Sequence, residues 1–160
     1  MRQQQAFTLV ELLVALAVMA ILVGVVFPGF QTMLARNNLA TSANAMIVAI
    51  NYARSEAVRG GGGVTLDAVD PSDDSNEWGP GWEVSRGDGT VLRTFEAVSD
   101  DLTLDSPGDI SSITFNSRGA VAAGVSRTLN LCLPGDSGVQ ITIAAIGRAS
   151  TSDLSAAECP

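Results

Sequence analysis

The chain has 160 residues, a formal net charge of −8 and a sequence pI near 4.3. All nine basic residues are arginines and there is no histidine. The commonest general base and the commonest zinc ligand are therefore missing, and the net field repels nucleic acid and anionic lipid surfaces. A chain of this size suits about one domain with an appendage.

An apolar run dominates the N-terminus. Residues 7–27 are almost all hydrocarbon, interrupted by Thr8 and Glu11. As a helix, 21 residues span about 32 Å, the thickness of a bilayer's hydrocarbon core. A cleaved secretory signal needs a shorter apolar stretch and a small-residue cleavage site after it; "VVFPGFQTMLAR" supplies no such site. A plain signal anchor accounts for the hydrophobicity but not for a carboxylate inside it.

The string "AFTLVELLVALAVMAILVGVVFPGF", and above all its Phe7 to Leu12 segment, resembles the N-terminus of type IV prepilins and type II secretion pseudopilins. The resemblance implies a polar leader, residues 1–6, removed on the cytoplasmic side by prepilin peptidase between Ala6 and Phe7. It also implies N-methylation of Phe7 and retention of the hydrophobic helix. Ala6 stands where the family usually has glycine, and the leader carries only Arg2 as a basic side chain.

Glu11 lies one helical turn from Phe7, on the same face. A carboxylate facing lipid costs about 2.5–3.5 kcal/mol on insertion scales and calls for a partner. The resemblance supplies one: the ammonium of a mature N-terminus, its own or a neighbouring subunit's. Glu11 is thus the expected assembly and charge-pairing residue.

Gly24 and Pro28 come next inside the helical pattern. Proline removes a backbone hydrogen bond, so a kink is expected there. Residues 7–30 are read as the transmembrane and assembly helix and residues 31–59 as its amphipathic continuation. In the latter, Leu34, Leu39, Ala43, Met46, Ile47, Ile50, Ala53, Ala57 and Val58 recur at threes and fours, the stripe of a helix docked on a globular body. Arg59 suits the helix C-terminus and the glycines at 60–63 stop it.

Residues 60–160 form a β-rich domain. "VTLDAV", "GWEVSR", "TVLRTFEA", "DLTLDS", "SITFNSRG", "TLNLCLP" and "VQITIAAIG" alternate in strand fashion and are separated by Gly/Asp/Pro turns. Seven short strands predict an antiparallel meander or sandwich. Trp78, Gly79, Gly81 and Trp82, then Leu92 and Arg93, Ile113, Phe115 and Gly119 form an ordered series. Leu129, Leu131, Cys132, Ile141, Ile143, Gly147 and Arg148 complete it. The order is similar to FimT/FimU-type minor pilins and to the H-type pseudopilin of type II secretion. The fold class implied is α+β: a long N-terminal helix packed on a small antiparallel β-sandwich, pilin-like.

Cys132 and Cys159 are too few and too far apart for a zinc knuckle. They are read as a disulfide if the domain is exported and as free thiols if it is cytosolic. The resemblance places the domain in the periplasm and favours the bridge. Asp67, Asp70, Asp73, Asp74 and Glu77 crowd one loop, but their spacing does not match an EF-hand; a solvated acidic loop is expected, with no metal. Trp78 and Trp82 are read as core and turn packing. Nothing resembles a catalytic constellation, and no enzyme activity or cofactor is expected.

Some DNA-uptake relatives carry Gly-Arg-x-Arg near the C-terminus. Here the stretch is Gly147-Arg148-Ala149-Ser150, without the second arginine and without clustered positive charge, so nucleic acid is disfavoured as a partner. The expectation is a structural minor pilin in the initiating or tip complex of a type IV pilus. Its partners are the bacterial inner membrane, prepilin peptidase, other minor pilins and the major pilin. The protein would sit in the membrane as a single pass with a periplasmic domain and then enter the pilus. The alternatives are an H-type pseudopilin among other pseudopilins and, less favoured, a DNA-binding minor pilin for DNA uptake.

Overall fold

The computed structural model describes residues 8–159. Helix α1 runs Leu9–Gly60. It starts at Thr8, whose hydroxyl accepts the backbone N–H of Glu11 at 3.2 Å and whose carbonyl accepts that of Leu12 at 3.2 Å. Thr-x-x-Glu is the capping-box spacing, which satisfies donors that the first helical turn leaves open. At the other end the N–H of Gly62 donates to the carbonyl of Ala57 at 2.7 Å. Gly61 sits at φ 83° between them, a Schellman-type stop that requires the left-handed region.

The chain divides into two compact units inside this helix, between Arg36 and Asn37. In the first unit the large apolar side chains from Leu9 to Leu22 are all exposed, Leu9 at 76%. Helical structure continues through Gly24 and Pro28. Among the described residues no helix is long and apolar enough to cross a membrane. The expected span begins at Phe7, which with the leader and the Ala6–Phe7 junction lies outside the described residues.

In the second unit α1 buries Leu39, Ala43, Met46, Ala49, Ile50, Ala53 and Ala57. Steps of three and four place these on one face. Leu34 and Val58, assigned to the stripe from sequence, are exposed at 46% and 56%; the buried face instead takes in Ala49 and, unexpectedly, Glu56.

Among the described residues eight strands come after the helix: β1 Val64–Ala68, β2 Trp82–Arg86, β3 Val91–Phe95, β4 Thr103–Asp105, β5 Ser112–Phe115, β6 Arg127–Cys132, β7 Gly138–Ile143 and β8 Ala149–Leu154. They form two antiparallel sheets, ordered β3-β2-β1-β5 and β4-β6-β7-β8. The first seven correspond to the seven expected strands. β8 is an addition to them, because "ASTSDL" has no apolar alternation; of its six residues only Leu154 is buried, as befits an edge strand with one neighbour.

Alternate residues of the strands point inward. Val64 and Leu66, Trp82 and Val84, Ile113 and Phe115, Leu129 and Leu131, and Ile141 and Ile143 join the helical stripe in one continuous core. Trp78 and Trp82 are 0% and 1% exposed, so both are packing residues. Ile50, 0% exposed, sits in the middle of this contact. Ile50→Ala is expected to lower unfolding free energy by about 2–5 kcal/mol, whereas Val48→Ala, on the same helix but 49% exposed, should change it by less than about 0.5 kcal/mol. Denaturant unfolding of the full chain in detergent checks both.

Candidate functional site

The residues singled out from sequence lie in separate places. Glu11 occupies the third position of α1, exposed, with its backbone N–H committed to the Thr8 hydroxyl. Around it Leu9, Val10, Leu12, Leu13 and Val14 leave an apolar surface open. A carboxylate in the first turn also sits favourably at the positive end of the helix dipole. Gly24 lies farther along α1 with open space where a side chain would be. Its expected partner in a kink, Pro28, is likewise helical.

The two cysteines are joined. Cys132, at the end of β6, bridges Cys159 across 27 positions, with Cα atoms 5.4 Å apart. Both are buried with Leu154 in a small apolar cluster. Ser155 and Glu158 close the turn before Cys159: the Glu158 carboxylate accepts the Ser155 hydroxyl at 2.7 Å and its N–H at 2.9 Å, and these bonds hold its pKa below the usual range.

The second unit clamps its helix with polar contacts that sequence patterning missed. Glu56, 5% exposed, pairs with Arg59 at 3.0 Å and with Arg86 of β2 at 3.5 Å. Both guanidiniums are partly in solvent, so the Coulombic gain is modest; the pairing chiefly prevents a buried, uncompensated charge. Arg54 donates from Nε to the carbonyl of Gly119 at 2.9 Å. Gly147 passes under the same spot, at φ 83°. A Cβ there would run into the Gly119 carbonyl and come within 2.7 Å of Arg54 Nε. Gly147 is thus spent on packing one turn against another, while Arg148 beside it is exposed.

The acidic loop is only partly the solvated segment expected. Asp70 and Asp73 are exposed and hold their own turns through Ser72 and Ser75. Asp67 accepts the Ser85 hydroxyl at 3.1 Å and the Ser112 hydroxyl at 2.7 Å, linking β1 to both its neighbours. Glu77 departs from the expectation: it is 2% exposed, pulled inward because Asn76 and Trp78 on either side bind the backbone of Leu104. Among the described residues no group of three or more His, Cys, Asp or Glu side chains is placed to hold a metal ion.

Two shallow grooves flank α1. One, of about 350 Å³, runs along the end of β3, where the Arg93 guanidinium lies 4.7 Å from the Phe95 ring and 5.8 Å from that of Tyr52. The other, of about 300 Å³, runs along β8 beside Asp153. Each lies at an open sheet edge, the place where a protein neighbour can add contacts.

The chain has relatives among known proteins. The family model described as "Type II transport protein GspH" matches residues 42–147, well over half of the chain. The one described as "Prokaryotic N-terminal methylation motif" matches residues 1–27. Two crystal structures of the type IV minor pilin FimU from Pseudomonas aeruginosa (strain PAO1) are similar. The one in space group P21 is 25% identical, with a TM-score of 0.64, covering 79% of this chain and 95% of that one. The one in P65 is 24% identical, with a TM-score of 0.61, covering 76% and 97%. No curated protein matches the chain.

The bridge is the feature of this region most open to test. Closing a loop of 27 positions stabilises by about 3.5 kcal/mol in the chain-entropy account. Cys132→Ser or Cys159→Ser is expected to lose most of that in denaturant unfolding, and to release the segment after β8 to proteolysis.

Proposed function

The chain belongs to the GspH family of type II transport proteins and carries the prokaryotic N-terminal methylation motif, and on that premise we propose that it is a structural minor pilin of a type IV pilus. The observation that carries this reading is the joining of that motif to a domain matching 95% of a FimU minor pilin chain in fold. Its function is to be a part: it is held in the inner membrane by the helix at residues 7–30, presents residues 60–160 to the periplasm, and is built into the filament.

On this reading prepilin peptidase removes residues 1–6, cutting between Ala6 and Phe7, and the new terminus at Phe7 is methylated. Glu11 pairs with such an amine, its own or a neighbour's, and so sets register as well as attraction. Gly24 and Pro28 mark where the helix loosens on assembly. The domain is incorporated in the initiating or tip complex, among other minor pilins and the major pilin. No catalysis is assigned to it; members of this family serve as building blocks.

The second reading is an H-type pseudopilin of type II secretion, favoured by the name of the matching family. A DNA receptor is disfavoured by the missing second arginine after Arg148 and by the net charge of −8.

Deleting the gene in its native host separates the first two. Scoring pili and secreted enzymes from the same cultures, we expect sparse or absent pili with normal secretion; the reverse pattern moves the protein into the secretion machine. For Glu11, Glu11→Ala should leave leader cleavage intact but reduce the processed protein recovered in sheared filaments at least severalfold relative to the membrane pool. Normal incorporation would remove the pairing argument.

A further inference from the structure

Glu77 and Asp105 present two carboxylate oxygens with no donor to satisfy them. Glu77 lies in the loop before β2. Its Oε1 accepts the Ser106 hydroxyl at 2.6 Å and the Ser106 N–H at 3.1 Å; its Oε2 is buried and has no hydrogen-bond donor. Asp105 ends β4, and its Oδ1 is also buried without a donor. Ser106, whose N–H and hydroxyl both reach the Glu77 carboxylate, directly follows Asp105 in the chain, so the two carboxyl groups are neighbours. Two carboxylates in such a position repel, whereas one carboxylic acid donates to one carboxylate and both orphan oxygens are satisfied at once.

The surroundings favour that state. The charged groups acting most strongly on Asp105 are Glu77 from the loop and Asp109 from the turn after β4, both acidic. Across the ladder the residue opposite is Asn130 of β6, which is neutral. We propose that Glu77 and Asp105 hold a single proton between them, and that this shared proton staples the 69–81 loop to β4 and the turn after it.

The staple sits at the centre of the loop's attachments. Asn76 Oδ1 accepts the Leu104 N–H at 2.8 Å, the Trp78 N–H donates to the Leu104 carbonyl at 3.0 Å, and the Trp78 indole donates to the Ile110 carbonyl at 2.7 Å. Ser106 Oγ, which donates to Glu77, also accepts the Ile110 N–H at 2.6 Å. Loss of the proton leaves two negative charges in contact beside Asp109, and the loop is the element free to move away. Its opening is a response to rising pH that the rest of the core does not share.

The direction of the pH dependence is set by Asp105. Burial first, then the hydrogen bond to Glu77 and its charge, push Asp105 up to about 6 from 3.8. The folded state therefore binds this proton more tightly than the unfolded chain does. The contribution is fully present below about 3.8 and is lost as pH rises through about 6. Asp73 and Asp88 are held low by Ser75 and Thr90; their contributions fall away only in stronger acid, outside this window.

The test is thermal unfolding, with amide hydrogen exchange corrected for intrinsic rates, on the full chain in detergent at about pH 5 and about pH 7.5, either side of the raised carboxyl. The wild type should melt higher at the lower pH, and the amides of Trp78 and Ile110 should lose protection severalfold at the higher one. Asp105→Asn places an N–H₂ where the shared proton was, so its melting temperature should be nearly level between the two conditions and its loop protected in both. Glu77→Gln, which keeps an acceptor for Ser106, serves as the second variant and should flatten the profile equally. A wild-type profile already level, or a slope that survives in both variants, overturns the proposal. So does stabilisation of the wild type by millimolar calcium alone at the higher pH, if Asp105→Asn abolishes it, because the pair would then be a cation site.

Discussion

From Asn37 onward the molecule is organised by the contact between α1 and the β-domain, and that contact depends on how little side chain the helix interposes. Four of the seven apolar residues it buries are alanines, at 43, 49, 53 and 57. The helix side is thin, and the bulk needed to fill the core is supplied from the other side by Leu, Ile, Phe and Trp of the strands. Leu39, Met46 and Ile50 are the three large exceptions, the last two wholly buried. The helix surface thus acts as a flat seat on which two sheets converge, and the turns around Gly119 and Gly147 can approach it closely enough for Arg54 to reach a backbone carbonyl.

Much of this is legible in the chain itself. The stripe of α1, its stop at the glycines and seven of the eight strands follow from periodicity and turn chemistry, because those signals record which side of an element meets water. The features that escape have a common cause. β8 is a strand by virtue of a neighbour, not of its own residues, and a polar edge carries no alternation to detect. Glu56 and Glu77 look like surface acids in the sequence because a carboxylate is usually solvated; only tertiary partners bring them inside. The Thr8–Glu11 cap is visible as a spacing but is overshadowed by the stronger question of why a charge stands in an apolar run. The assembly role proposed for Glu11 comes from the family likeness, and the cap is a separate, local use of the same position.

The two buried glutamates show contrasting solutions to one electrostatic problem. Glu56 keeps its charge and recruits arginines whose far ends remain wet, so the ionised form is acceptable at the helix–sheet boundary. Glu77 relies instead on hydroxyl and amide donors from Ser106, which are neutral.

The position of the disulfide has a mechanical consequence. A filament subunit carries load, and a domain that unravels under load lengthens by the contour it releases. The bridge from Cys132 to Cys159 encloses β7 and β8 whole. A pull transmitted along the chain crosses this region through sulfur and not through the backbone between. About 90 Å of contour, at some 3.4 Å per residue, is thereby withheld from extension, and the strands β7 and β8 stay gathered at their base even if the rest of the sheet is drawn apart.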